Sequence, residues 1–415
     1  MDNHQTEVLI VGAGPASLAL AIELGSRAIP CIVVERNAPE ARDQRVQIAN
    51  GHTRKLLHRW GIADISPEPM LPPDLLLAAD SLARVENACD RSACCDLHDA
   101  QPARWVARRV LEHALREHAR TLPHVRFRFG CELRGFEQDQ HGVRSIIHDC
   151  GSGTDCGIAS AYLAGAGAVV AAGIGARIER PAGDAAPAGL CLESYSDRRV
   201  FVCGGGTRMP LPFDGHTMNL GLADGVNLGW KLAAVLHGWG GASLLDSYQA
   251  ERGAVHRRIV DGAPACLAAL DAPCPGGMEE GAAPQRRLRG SPRGGQQART
   301  PPHAIAAAPA WMLDGGALYE GFGPGFTLLA TGGWTTADLQ LAQHDATTLG
   351  VPLSVLRPAV PGLAALYGAR LVLIRSDLCV AWRGDAWPYE GRALLELVTG
   401  HRTCTEHASC RKCYR

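Results

Sequence analysis

A glycine-rich run near the amino end, set between apolar segments, constrains the fold of this chain more than any other feature. The run is Gly12–Ser17, with the sequence GAGPAS. Residues 7–11 before it form an apolar, β-branched stretch that predicts a buried strand, and residues 15–26 carry apolar side chains at helical spacing. A second apolar stretch, 31–34, is followed directly by Glu35. This pattern predicts a βαβ unit with a glycine turn at the start of its helix.

The residue types in this unit suit a bound diphosphate. Gly12 permits a tight turn, and Gly14 lets the backbone come close to phosphate oxygens. Glu35 can accept hydrogen bonds from the hydroxyls of an adenosine ribose and would repel a 2′-phosphate. The helix N-terminus supplies free N–H groups and partial positive charge, and it is formed by Pro15, Ala16 and Ser17. We predict a dinucleotide site, in which this unit alone leaves FAD and NAD open; an incidental glycine turn is the alternative.

Composition narrows the classes of function. The chain has 415 residues, enough for two or three domains, and a hydrophobic content of 46% is typical of folded ones. Its net charge of -1 gives no general attraction to nucleic acid or anionic lipid, so we expect neither partner. Fifteen cysteines without regular spacing argue against a disulfide scaffold. Residues 161–175 are too few and too glycine-rich to cross a bilayer, and we expect a soluble, cytoplasmic protein.

Further elements follow from hydrophobic periodicity along the chain. Residues 151–190 are a glycine- and alanine-rich stretch in which we assign no element. Residues 271–302 are rich in Pro, Gly and Arg, which is typical of a linker. The remaining patterns predict helices at 105–120 and 219–238, strands at 125–129, 132–137, 143–148 and 199–203, and a hairpin over 371–383.

Several separate segments together point to a family. They include Glu35-Arg36, Arg45, the run HTRKLLHRWGI, the run ARRVLEHAL, and PLPFDGHTMNLGLADGVNLGWKLAAVL with LLDSYQAER downstream. On these residues the chain resembles the class A flavin-dependent aromatic hydroxylases, the single-component FAD monooxygenases of the para-hydroxybenzoate and phenol hydroxylase type. Segments in 303–400, such as LYEGFGPGFTLL and LYGARLVLIRSD, are similar to the thioredoxin-like C-terminal domain of larger members.

The resemblance implies a cofactor, a reaction and a set of contacts. The cofactor would be FAD, NADPH or NADH would be a transient reductant, and O2 would be the oxidant for hydroxylation of a small aromatic substrate. A single nucleotide fingerprint fits a family in which the nicotinamide cofactor has no Rossmann domain of its own. Pro212 matches a proline beside the reacting face of the flavin, and we take it as the catalytic candidate. The implied cofactor contacts beyond the βαβ unit are Arg36, Arg45, Arg108, Gly205, Gly215, Thr217, Met218 and Asn219.

The chain departs from the family pattern at three places. An Asp-Gly motif after the sheet has lost its acid, which is replaced by Gly167, and the acid that holds the flavin ribityl chain is replaced by Gly205. Only 38 positions separate these two glycines, so most of the substrate-binding sheet expected between them is missing. Loss of the acid at Gly205 is expected to weaken FAD binding, because a charge-assisted hydrogen bond contributes about 1.5–3 kcal/mol. This free energy corresponds to roughly a tenfold to hundredfold change in FAD affinity.

The expected fold class is therefore α/β. It comprises a Rossmann-like FAD-binding domain with a parallel sheet, a truncated substrate-binding region, and a thioredoxin-like α/β domain. The expected organisation is FAD-binding domain over 1–180 and 181–270, linker over 271–302, thioredoxin-like domain over 303–400, and tail over 401–415.

The leading functional hypothesis is an FAD-dependent monooxygenase that hydroxylates a phenolic or polyketide-type aromatic. The alternative is a degenerate member that keeps the fold, with or without FAD, but does not turn over. An NAD(P)-dependent dehydrogenase is a weaker alternative, because it leaves residues 212–238 unexplained. The Cys and His residues of the tail lack zinc-finger spacing, so no metal is expected, and a homodimer stays open.

Overall fold

The computed structural model describes eleven stretches of the chain. They are residues 4–38, 46–62, 104–166, 168–175, 178–179, 190–205, 207–208, 217–271, 306–307, 312–313 and 316–402. Residues 272–302 of the expected linker and almost all of the tail lie outside the described residues, as do Arg45, Gly167, Pro212 and Gly215. Asp271, the first residue of the expected linker, is the last residue of a helix.

The helices are α1 (Pro15–Gly25), α2 (Gly51–Arg59), α3 (Arg108–Arg120), α4 (Ala168–Gly173), α5 (Thr217–Leu236), α6 (Ser243–Asp271), α7 (Thr336–Thr348), α8 (Leu363–Tyr367) and α9 (Gly391–Val398). The strands of the first part of the chain are β1 (His4–Val11), β2 (Cys31–Glu35), β3 (Val46–Ala49), β4 (Arg104–Ala107), β5 (Val125–Phe129), β6 (Cys131–Gln138), β7 (Val143–Asp149), β8 (Thr154–Gly165), β9 (Ile178–Glu179), β10 (Leu190–Leu192), β11 (Ser196–Asp197), β12 (Val200–Val202) and β13 (Thr207–Arg208). The later strands are β14 (Ala306–Ala307), β15 (Met312–Leu313), β16 (Gly316–Ala317), β17 (Phe326–Ala330), β18 (Leu353–Leu356), β19 (Leu371–Ile374) and β20 (Cys379–Gly384).

An eight-stranded sheet forms the centre of the first part. Its main path runs β11-β12-β8-β1-β2-β5, with β7 paired to β8 and β6 paired to β7. Strand β1 is parallel to both β2 and β8, as expected of the βαβ unit, and its register places Val8 beside Cys31 and Tyr162. The apolar residues of β1 and β2 are buried except Val11, which is half-buried, and this matches a parallel sheet covered on both faces. The α/β class predicted from the sequence is confirmed.

Strand β8 occupies part of the stretch in which the sequence indicated no element. It lies between β1 and β12, and its last residue, Gly165, pairs with both Val11 and Val202. A Cβ at Gly165 would lie 2.6 Å from the Val11 carbonyl oxygen, so this close approach requires glycine. Local β-propensity is low in such a glycine- and alanine-rich segment, and pairing with distant strands decides its conformation.

The boundaries of two predicted helices need correction. Residues 105–107 belong to β4, which pairs antiparallel with β3, and helix α3 begins only at Arg108. The apolar periodicity of the sequence runs through this boundary, whereas the strand pairing joins positions far apart in the chain. Helix α5 begins at Thr217, two residues before the predicted start, and ends two residues before the predicted end, at Leu236.

The C-terminal part is a second α/β unit. Its five-stranded sheet has the order β14-β20-β19-β17-β18, with β17 parallel to β18 and antiparallel to β19. The predicted hairpin over 371–383 is confirmed as β19 and β20. The thioredoxin-like assignment stays a prediction, as does the truncation of the substrate-binding region, where the described residues form a small sheet of order β13-β10-β9.

Apolar packing joins the C-terminal unit to helix α5. Trp230 of α5 is almost fully buried and meets the ring of Phe326 from β17 at 6.0 Å in an edge-on arrangement. Arg59 of α2 adds hydrogen bonds to the backbone oxygens of Gly323 and Ser376. Within the described stretches, no helix has the length and apolar character to span a membrane.

Candidate FAD site

The glycine turn has the geometry that its sequence predicts. Gly12 adopts a φ of 93°, which favours glycine, and its N–H donates to the carbonyl oxygen of Val34 at 2.8 Å. Gly14 is the extended N-cap of α1, and Pro15 follows it at the first helical position. No side-chain hydrogen bond caps this end in the described part of the chain. The helix N-terminus is therefore suited to an anionic ligand.

Glu35 lies at the mouth of the turn. One carboxylate oxygen accepts a hydrogen bond from the Ala13 N–H at 2.8 Å, and the other accepts from the backbone and side-chain N–H groups of Asn37, each at 2.9 Å. The predicted neighbourhood of the acid and the turn is thus present. A carboxylate offers about four lone-pair sites and these bonds use three of them, so Glu35 can still accept from a ribose hydroxyl. Arg36 is exposed beside it.

Arg108 approaches the same turn from another element. A Cβ at Gly14 would lie 3.5 Å from the Arg108 guanidinium nitrogen Nη2, while its Nε is 2.6 Å from the Glu112 carboxylate one turn along α3. Strand β4 ends at Ala107, so the β3–β4 pair delivers this side chain to the glycine turn. The sequence-predicted contacts Gly14, Glu35 and Arg108 are therefore brought together.

The two distant sequence segments on which the flavin hypothesis depends also meet. Gly204, which follows β12, has a φ of 76°, and a Cβ there would lie only 2.4 Å from the Ala16 side chain of α1. It would also lie 3.7 Å from the Cα of Gly221 in α5 and 3.8 Å from Ala166. The first turn of α1, the loop after β12 and the amino-terminal half of α5 therefore form one junction. Gly205 is exposed at its edge, with a φ of 70°.

A buried carboxylate that the sequence analysis did not single out stabilises this junction. Asp224 of α5 is fully buried, and it accepts hydrogen bonds from the Gly204 N–H at 3.3 Å and from Arg252 Nε at 2.6 Å. His256 Nε2 lies 3.0 and 3.1 Å from its two oxygens. Burial alone would raise the pKa of Asp224, but His256 and Arg252 lower it. The available signal was the Asp in LADG together with Arg and His at helical spacing in α6.

The amino end of α5 is tied to strand β3. The Asn219 side-chain oxygen accepts from the Asn50 N–H at 3.1 Å and from the Thr53 hydroxyl at 2.7 Å, and its Nδ2 donates to the Ile48 oxygen at 2.7 Å. The side chain of this predicted cofactor contact therefore positions β3 and α2 against the helix. Its neighbour Met218 is buried, and Thr217 is half-buried.

Comparison with known proteins decides the family. The FAD binding domain family matches residues 5–188 and 187–263, which is more than half of the chain. The chain belongs to the FAD binding domain family. This result confirms the resemblance to class A flavin-dependent hydroxylases and FAD as the family's cofactor.

Among curated relatives of this FAD binding domain chain, the tetracenomycin B2 monooxygenase-dioxygenase of Streptomyces olivaceus is 26% identical over 370 residues, covering 63% of this chain and 68% of the relative. Aklavinone 12-hydroxylase RdmE of Streptomyces purpurascens is 31% identical over 238 residues, covering 50% and 44%. The chain thus spans between two fifths and about two thirds of these two relatives.

Solved structures show the same fold. A ternary complex of aklavinone-11 hydroxylase with FAD and aklavinone matches with a TM-score of 0.72 at 21% identity, covering 96% of this chain and 100% of that one. The rebeccamycin biosynthetic enzyme RebC with reduced flavin matches with a TM-score of 0.72 at 22% identity, covering the same shares. These likenesses concern the fold.

The residues present fit FAD at the diphosphate and ribose end. The uncapped N-terminus of α1, the side-chain-free cradle at Gly14 and the Glu35 carboxylate have the chemistry that an adenosine diphosphate requires. The position that the resemblance assigns to the ribityl chain is occupied by Gly205, which supplies no carboxylate.

A second buried polar cluster connects helices α5 and α6 of the FAD binding domain to the C-terminal unit. Glu251 accepts from both terminal nitrogens of Arg375, at 2.9 and 3.0 Å, and lies 3.0 Å from Lys231 Nζ. Asp377, also bound to Arg375, accepts from Trp230 Nε1 at 3.1 Å. All four charged side chains are more than nine-tenths buried, with two positive and two negative charges. This cluster, called here the interdomain ion cluster, includes no residue of the predicted site.

Metal binding has no support in the described part of the chain. Among its His, Cys, Asp and Glu side chains, no group of three or more is arranged to hold an ion. Of the Cys and His residues of the tail, His401 is described, and its Nε2 lies 3.1 Å from the Trp239 carbonyl oxygen. The others lie outside the described stretches: Cys404, His407, Cys410 and Cys413.

Proposed function

We propose that this protein is an FAD-dependent monooxygenase that uses NADPH or NADH and O2 to hydroxylate a small aromatic substrate of phenolic or polyketide type. The main support is the junction at Gly204, where the glycine turn, α1 and α5 meet in a chain of the FAD binding domain family. The substrate class follows from relatives whose names refer to tetracenomycin and aklavinone.

In the proposed reaction, one oxygen atom of O2 enters the aromatic ring and the other leaves as water, while NAD(P)H supplies two electrons. FAD, when bound, supplies the redox and oxygen-activating chemistry. The protein binds the cofactor and orients the ring. We assign the diphosphate to Gly12, Gly14 and the α1 N-terminus formed by Pro15, Ala16 and Ser17. We assign the adenosine ribose to Glu35.

The remaining roles are proposed on chemistry and family position. Arg108, beside Gly14, would offset diphosphate charge, and Arg36 and Arg45 would add positive charge near the same end. The positive end of the α5 dipole, at Thr217, Met218 and Asn219, would stabilise negative charge on the reduced ring. Gly215 is proposed as a further flavin contact. Pro212 would lie beside the reacting face, and Gly205 at the ribityl chain. A homodimer is part of this proposal.

The test begins with the purified protein. We expect a yellow preparation, or FAD-dependent thermal stabilisation of a colourless one, and NAD(P)H oxidation that speeds up with a phenolic or polyketide aromatic. Mass spectrometry of the product should show the addition of one oxygen atom. Protein that neither contains nor binds FAD would contradict the proposal.

Loss of the carboxylate at Gly205 favours a second candidate, a degenerate member without turnover. The variant Gly205→Asp tests it. Gly205 is exposed with a left-handed φ of 70°, which Asp tolerates better than most residues. We expect this variant to bind FAD about tenfold more tightly, because a charge-assisted hydrogen bond is restored.

Gly205→Asn is the matched control, since it shares the shape and backbone tolerance of Asp but lacks the charge. Equal FAD affinity in the two variants would show that no carboxylate is missing there. Flavin retention without substrate-stimulated NAD(P)H oxidation, in the wild type and in Gly205→Asp alike, would favour the degenerate member.

A further inference from the structure

Gln47 has a buried side-chain oxygen whose hydrogen-bonding capacity is unused. The residue is 5% exposed, and its Oε1 has no hydrogen-bond partner among the residues that the structure describes. Leaving such an acceptor unpaired costs stability, so native proteins rarely bury one without a partner. Its presence calls for a specific explanation.

The position of Gln47 connects it to the candidate site. It is the second residue of β3, the strand whose Ile48 oxygen accepts from Asn219 Nδ2 at the amino end of α5. Across the strand pair, Gln47 is opposite Val106, two residues before Arg108 at the glycine turn. The β3–β4 pair therefore runs from the amino end of α5, proposed for the flavin ring, to the turn proposed for the diphosphate.

The side chain also lies on the inner face of this strand pair. Side chains alternate along a strand, so Gln47 shares a face with Ala49 and, across the pair, with Val106. Both of these residues are in the main hydrophobic core, at 1% and 2% exposure, whereas Val46 on the other face is 50% exposed. The unpaired oxygen is thus buried, and its side chain shares a strand face with two residues of the main core.

We propose that Gln47 is a ligand-recognition residue of this site, whose side-chain oxygen accepts a hydrogen bond from a donor of the bound ligand. The inference rests on the proposed function. Two ligands offer such a donor: the imide N–H of the flavin ring, and a hydroxyl group of a phenolic substrate. In either case the bound ligand pairs with the Gln47 oxygen and removes the free-energy cost of leaving this acceptor unpaired.

The test compares ligand-free stability with ligand binding in Gln47→Leu, which keeps similar bulk without the acceptor. Flavin-free protein should unfold at the wild-type temperature or higher, because the unpaired oxygen is gone. If the flavin is the donor, the FAD dissociation constant, measured by fluorescence titration, should rise about two- to tenfold. If the substrate is the donor, FAD affinity should stay unchanged and the aromatic should bind the holoprotein about two- to tenfold more weakly.

Ser145→Ala is the matched control. Ser145 is 2% exposed and its hydroxyl also has no partner among the described residues, but it lies in β7, away from the β3–β4 pair. It should change neither affinity. Gln47→Met provides a second variant in case the branched leucine packs poorly.

Two results would overturn the inference. One is unchanged affinity for FAD and for the aromatic in both Gln47 variants. The other is a lower unfolding temperature of both flavin-free variants, which would show a structural role. Failure of the wild type itself to bind FAD is a separate result that rejects the proposed function and this inference together.

Discussion

Helix α5 packs against two partners in opposite ways. Towards α1 it presents Gly221, Gly225 and Gly229, four residues apart, and the helices approach so closely that a Cβ at Gly225 would lie 2.3 Å from the Ala16 oxygen. Towards the C-terminal unit it presents Trp230 and Lys231, together with Asn227. One helix thus combines a face without side chains and a face of buried polar groups.

The two faces of α5 contribute differently to stability and to the positions of the packed elements. The glycine face fixes the distance between helices through backbone contact, which brings the Gly204 loop to α1. The interdomain ion cluster buries four charges whose attraction offsets a large desolvation cost only while every partner is present. We therefore expect the polar face to be more sensitive to the loss of a single group.

The largest expected effect is at the polar face. Arg375→Met removes the cation that binds both Glu251 and Asp377, and leaves two buried carboxylates with Lys231 as their remaining cation in the cluster. We expect the free energy of unfolding in urea to fall by about 3–5 kcal/mol. Arg392→Met, which removes an exposed arginine and leaves Glu396 paired with Arg402, is the control and should change it by about 0–1 kcal/mol. Similar losses of unfolding free energy in Arg375→Met and Arg392→Met would contradict the special sensitivity of the polar face.

A smaller effect is expected at the glycine face. Gly225→Ala places a methyl group 2.3 Å from the Ala16 oxygen and 2.9 Å from the Leu20 nitrogen, both backbone atoms. The helices must separate, and we expect unfolding free energy to fall by about 1–3 kcal/mol, with weaker FAD binding. Gly135→Ala is the control, because a Cβ there meets no atom within 4 Å. If Gly225→Ala left the free energy of unfolding unchanged, the glycine face would not set the distance between α1 and α5.

A further test of the polar face varies the pH. Burial alone would raise the pKa of Glu251, but Arg375 and Lys231 lower it from 4.5 to about 2. The folded state therefore binds fewer protons than the unfolded state between these values, and this contribution to stability is present above pH 4.5 and lost as the pH falls towards 2. Urea denaturation across this range should show the fall, and Glu251→Gln should flatten it. An equally steep profile in Glu251→Gln would assign the fall to other groups.

Lys231 should make stability depend on pH in the alkaline range as well. Burial lowers its pKa from 10.5 to about 8, although Glu251 acts to raise it. Stability should therefore rise as the pH increases from 8 to 10.5, because the folded state releases this proton first. The same denaturation series, carried to alkaline pH, measures it.

Parts of the candidate site were predictable because they depend on local sequence. Gly12, Gly14 and Glu35 are fixed by one βαβ unit, whose glycines and acid each have a role that spacing reveals. The function of Asp224 was not predictable in this way. An Asp within an apolar helix has no local pattern that tells which N–H group, arginine or histidine it binds. Its partners Gly204, Arg252 and His256 come from other elements.

The same limit applies to β8 and to Gln47. The glycine- and alanine-rich stretch of β8 has weak local preference, and it becomes a strand through pairing with β1 and β12. Alternation along β3 could place Gln47 on one face, but only the folded chain shows that this face is buried and that the oxygen is unpaired.

The sequence by itself determined the βαβ unit, its glycine turn and acid, the long helix and the family, because these depend on residue types at short and regular spacing. Only the tertiary structure decided that Gly204 joins α1 to α5, that Asp224 holds this junction, and that four buried charges attach the C-terminal unit. Those outcomes depend on distances between residues far apart in the chain, and packing sets such distances where local preferences do not.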